Sequence, residues 1–88
     1  MDKEEFIEEL GLPFDWEERG SEYVINLNNS DSFSKAYDLI SNNRDLTLED
    51  DSITTTDNAL FTFFTDLFEI RLVADFNKDI YKVILGDR

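Results

Sequence analysis

The chain has no cysteine and no histidine among its 88 residues. Without cysteine there is no disulfide and no thiol chemistry. Without histidine the commonest acid–base group is missing as well, so two of the usual routes to catalysis are closed. Glycine is scarce: Gly11, Gly20 and Gly86 stand alone, and no glycine-rich phosphate loop exists. No apolar run reaches the length of a membrane span. The opening residues, "MDKEEFIEEL", contain neither a basic n-region nor an apolar h-region, so no signal peptide is expected. Basic residues are few, 8 against 21 acids.

What remains is acid and core. The net charge of −13 opposes direct contact with nucleic acid or anionic membrane, both polyanions. The same field favours capture of basic proteins. Hydrophobic residues make up 41% and aromatics 14%, with eight Phe, which a disordered acidic tail would not have. One domain over residues 1–88 is expected, a cytoplasmic protein forming a monomer or homodimer.

The elements read as α+β: several hairpin strands in an antiparallel sheet with two short helices, one of them packed on the sheet. Asp2 can cap a first helix with Glu5 reaching back, Phe6, Ile7 and Leu10 forming its apolar stripe and Gly11 its stop. Phe14 and Trp16 alternate with Asp15 and Glu17 as in a strand, and Gly20-Ser21 turns the chain into "EYVINL". Ser30 or Asp31 is the expected cap of a second helix with Phe33, Ala36, Tyr37 and Ile40 on one face, stopped in a left-handed turn at Asn42-Asn43. Strands follow over Leu46–Glu49, Ile53–Thr56, Leu60–Phe64 and, by strict period two, Phe68 to Phe76. "NKD" then turns the chain into "IYKVILG".

Charge is uneven over this plan. Residues 1–22 carry nine acids and two bases, residues 30–58 seven and two, and residues 59–88 five and four. The C-terminal strands are the scaffold, and the acid lies on the elements before them. Two chemical motifs fail on inspection. Glu17 and Glu22 can face each other across a hairpin as a carboxylate pair, but acids are common enough here for such pairs to be coincidental. Asp75, Asn77 and Asp79 occupy the first, third and fifth positions of a calcium loop. Ile80 then stands where glycine is needed and Gly86 where a glutamate should close the site. No enzyme activity, cofactor or metal is expected.

The acid runs "DKEEFIEEL", "DWEERGSE" and "DLTLEDD" are the remaining signal. Alternate strand residues stand about 6.8 Å apart, twice the axial step of about 3.4 Å between charges on one DNA strand. Acids four apart on a helix share a side at a comparable interval. Glu8, Glu9, Asp15, Glu17, Glu18, Glu49, Asp50 and Asp51 are therefore the candidate partner-binding residues, with Trp16 beside them as core or anchor.

In size, acidity and lack of catalytic residues the chain resembles small anti-defence proteins of phages and mobile elements, the anti-CRISPR proteins and DNA-mimic inhibitors. This resemblance is one of whole-chain character, without a diagnostic motif. It implies stoichiometric inhibition of a basic nucleic-acid-handling protein, such as a CRISPR effector in a bacterial cytoplasm. An immunity protein against a basic nuclease toxin, or a non-inhibitory phage assembly or adaptor module, fits the same composition.

Overall fold

Asp2 opens the first helix as its neighbours predict. In the computed structural model of the chain, which describes residues 1–50 and 52–88, its carboxylate accepts the Glu5 N–H at 2.9 Å. Helix α1 runs Lys3–Leu10, and Gly11 ends it in the left-handed conformation (φ 61°). Eight residues are too few for a helix to be stable alone, so α1 depends on its inward stripe. Phe6 is buried with its ring centroid 5.1 Å from that of Phe68. Ile7 and Leu10 pack beside it.

Helix α2 runs Ser30–Ser41. Its cap is Asn29, not the expected Ser30 or Asp31. Asn29 keeps an extended backbone, and its side chain accepts the Ser32 N–H at 2.8 Å. Asp31 lies in the first turn instead, where a carboxylate complements the helix dipole. The stop also differs from expectation. Asn42 is right-handed (φ −83°) and donates its N–H to the Asp38 carbonyl, Asn43 donates to the Ile40 carbonyl, and no left-handed residue ends this helix.

The strands are β1 (Glu17–Arg19), β2 (Glu22–Leu27), β3 (Thr47–Leu48), β4 (Ile53–Thr54), β5 (Asn58–Phe64), β6 (Phe68–Asp75) and β7 (Ile80–Asp87). They form one antiparallel sheet in the order β1-β2-β7-β6-β5-β3, with β4 also on β5. Period two decides which side is core. Phe68, Ile70, Leu72 and Ala74 are buried while their alternates are half-exposed. Ile70 faces Leu85 and Leu72 faces Val83, while Ile25 faces Val83 and Phe63 faces Ile70. Both helices cover this face: α1 through Phe6 on Phe68, and α2 through Phe33 toward Tyr81 and Tyr37 toward Phe61, with centroids 5.8 and 4.8 Å apart. The result is a two-layer α+β fold whose sheet is covered on one side.

Several strands are shorter than their patterns suggest, for local reasons. Phe76 lies outside β6 because the Asp75 carboxylate accepts the Asn77 and Lys78 N–H groups and turns the chain. Thr55 accepts the Asp57 and Asn58 N–H groups through its hydroxyl, which ends β4 before Thr56. Phe14 and Trp16 do pack on the core, but pairing begins only at Glu17. Leu46–Glu49 contributes two paired residues. Thr47 and Leu48 oppose Phe64 and Phe63, and Ile53 and Thr54 oppose Leu60 and Ala59. Between these pairings β5 has only Phe61 and Thr62, and Glu49, Asp50 and Ser52 make a bulge beside them. It still closes the edge: Glu49 donates its N–H to the Thr62 carbonyl at 2.8 Å, and the Ser52 hydroxyl accepts the Thr62 N–H at 3.2 Å.

Candidate partner-binding surface

The sheet order sorts the candidate acids into two groups. Glu8 and Glu9 lie on the exposed side of α1, Asp15 on the connection into β1, and Glu17 and Glu18 on β1 itself. Glu49 and Asp50 lie on the bulge beside β5, at the other edge. Asp51 lies outside the described residues. Six strands side by side span about 24 Å, so Glu17 and Glu18 on β1 are set apart from Glu49 and Asp50, while α1, seated on Phe68 of β6, lies between the two edges.

Within the first group Tyr23 ties Glu18 to α1, whereas Glu17, opposite Val24, stands on the other face of the sheet. The Tyr23 hydroxyl lies 3.1 Å from the Glu18 carboxylate and 3.3 Å from that of Glu4. One hydroxyl proton thus faces two carboxylates, and the phenol joins the start of α1 to β1. Partial desolvation, then the hydrogen bond and charge of Glu18 and the charge of Glu4, push the Tyr23 hydroxyl up to about 12. A phenolate there would add a third negative charge. The hydroxyl borders a cleft of about 300 Å³ whose walls include Asp2, Lys3 and Ser21. Glu4 was absent from the candidate residues. Its signal is its place four residues before Glu8, which puts both on one helix side.

Ion pairing leaves most of the acid free. Among the described residues only Asp87, Glu17, Glu22 and Glu69 have a basic side chain within reach, held by Lys3, Arg19 and Arg71. Glu4, Glu8, Glu9, Asp15 and Glu18 have none. The exposed side of α1 and Glu18 of β1 therefore present acid without a basic partner, on elements packed against the core.

No family model, no curated protein and no solved structure matches this chain.

The two chemical motifs resolve in detail. Glu17 stands opposite Val24, and Glu22 opposite Arg19, so the two carboxylates are not a facing pair. Glu17 binds Arg19 at 2.9 Å and Glu22 binds Arg71 at 3.1 Å. In the β6–β7 turn the Asp75 carboxylate is occupied by backbone N–H groups. Asp79 accepts the Tyr81 hydroxyl at 2.9 Å, and that bond, ahead of burial, pushes the Tyr81 phenol up. The described residues contain no group of three carboxylates placed to hold a metal ion. No helix among them is long and apolar enough to cross a membrane.

Proposed function

We propose that this chain is a non-catalytic inhibitor that binds the nucleic-acid groove of a basic protein. Its target class is the defence nucleases of a bacterial cytoplasm, CRISPR effectors among them, whose heteroduplex channels are lined with positive charge. The observation that carries this reading is the unpaired acid of α1 together with Glu18 of β1, joined through Tyr23. Glu4 with Glu8 and Glu5 with Glu9 form two rows at helical i, i+4 spacing, about 6 Å along the axis, near the interval between alternate phosphates of one DNA strand. The elements are anchored by Phe6 and by Phe14 and Trp16, so the charges are presented without the ordering cost of a flexible tail.

Such a protein acts one to one and leaves no product. The test is competition. Labelled duplex DNA bound to a purified effector should be displaced by the chain at near-equimolar concentration, and displacement should weaken as salt rises, because exposed charges are screened beyond about 8 Å at physiological ionic strength. Unchanged DNA binding across effectors and basic nucleases at a large excess of the chain would contradict the reading.

A further inference from the structure

The sheet face turned away from the helices differs in charge from the rest of the molecule. Val24, Ile84, Val73, Leu60 and Ile53 cross it on neighbouring strands. Val24 is buried at the β1 end, and Ile84 and Val73 are half-buried. Ile53 and Leu60 are 57% and 39% exposed, and with Val73 they border a hollow of about 380 Å³. In a protein with a net charge of −13, three of the four ion pairs among the described residues lie on this one face. Arg71 bridges Glu22 and Glu69, and Arg19 holds Glu17. Lys82 adds a further base beside Val73 and Asn26. This face is apolar at its centre and close to neutral, whereas the helical side carries the unpaired acid.

We propose that this face binds a second copy of the chain, face to face about a two-fold axis. Charge selects the occupant. A basic protein is drawn to the acidic edge, and a strongly acidic one is repelled by the net charge. A second copy is also repelled everywhere except here, where bases and acids interleave and can pair across a two-fold, as a self-complementary interface requires. Pairing edge to edge is closed off. β1 has three residues with Glu17 and Glu18 in it, and β5 is covered by β3, β4 and the bulge. Charged, short and covered edges are the usual means of preventing strand addition. The area is of the right order: the 36 strand residues present about 590 Å² before side-chain relief is counted, against roughly 800 Å² per partner in a standard interface. The acids of α1 then point outward on both copies, which doubles the presented charge.

The test is the mass in solution by sedimentation equilibrium, up to about 1 mM. The parent should rise from 10.3 kDa toward twice that value with concentration. Added salt should strengthen the association by screening repulsion between the copies, opposite in sign to its effect on capture of a basic partner. Ile53→Lys with Leu60→Lys, at exposed positions, should keep its circular dichroism and weaken the dimer at least tenfold. Glu8→Lys with Glu9→Lys should leave it no weaker. A parent that stays at 10.3 kDa throughout overturns the proposal, as does a folded Ile53/Leu60 variant that associates like the parent. Neither result bears on the inhibitor reading, which depends on the other side of the molecule.

Discussion

The ring of Phe6 lies 5.1 Å from that of Phe68, and this contact seats the acidic helix on the sheet. Glu4, Glu5, Glu8 and Glu9 occupy the other side of the same eight residues. Their position therefore depends on one buried aromatic pair more than on any feature of the charges. Phe6→Ala should cost about 3 kcal/mol in denaturant unfolding, the usual range for an aromatic deleted from a core. It should also weaken partner capture although no charge is changed. A variant with parent-like stability would show that α1 is held by something other than Phe6.

Salt should stabilise this fold. Among the described residues most carboxylates have no basic partner, and their repulsion acts on the compact state more than on the unfolded chain. Raising ionic strength from about 10 mM to about 1 M shortens the screening length from roughly 30 Å to roughly 3 Å, so the thermal midpoint should rise through that range. A falling midpoint would mean that the few ion pairs outweigh the repulsion.

Tyr23 gives the molecule an alkaline limit. Its hydroxyl is raised from 10.0 to about 12 in the folded chain, so the folded state holds a proton that the unfolded state releases. That contribution to stability is fully present below about pH 10 and is lost as the pH rises through 10 toward 12. The phenolate absorbance that parent shows and Tyr23→Phe lacks should appear with a midpoint near 12. A midpoint near 10 would mean that Glu4 and Glu18 do not hold the hydroxyl.

Gly20 sets the β1–β2 hairpin. Its φ is 62°, in a two-residue loop whose other member is Ser21, and a side chain added there would meet no neighbouring atom. The strain of Gly20→Ala is then purely of the backbone and should cost about 1–2 kcal/mol. Gly20→Asn should cost less, because asparagine tolerates this conformation. Equal costs for the two would point to lost packing instead.

How much of this was legible in the sequence follows from which forces are local. The period of two from Phe68 to Ala74 and the stripe of Phe33, Ala36, Tyr37 and Ile40 gave the sheet and α2, because burial of one face imposes that spacing. The Asp2 and Gly11 boundaries were equally plain. The boundaries that failed were set by single side-chain hydrogen bonds. Asn29 rather than Ser30 caps α2, Asp75 turns the chain before Phe76, and Thr55 ends β4. Each competes with its neighbours by a small margin, which composition does not weigh. For the site, the identity of the exposed acids was readable, but their grouping was not. That Glu18 meets Glu4 at Tyr23, while Glu49 and Asp50 lie at the far edge, depends on β2 pairing with β7 and β3 with β5, contacts between residues far apart in the chain. The neutral outer face was hidden for the same reason, since Glu22 and Arg71 are 49 positions apart.

The most direct measurement is inhibition of DNA cleavage by a purified CRISPR effector or basic nuclease that the chain displaces from DNA, comparing parent, Glu8→Lys with Glu9→Lys, and Asp50→Lys. Both variants change exposed residues and should stay folded. If α1 and β1 form the interface, the α1 reversal should raise the inhibitory concentration at least tenfold, in line with the roughly 2 kcal/mol or more that removal of one partner of a close charge pair costs, while Asp50→Lys at the far edge should inhibit within about twofold of parent. Equal inhibition by all three would contradict the account, and loss confined to Asp50→Lys would move the interface to the opposite edge of the sheet.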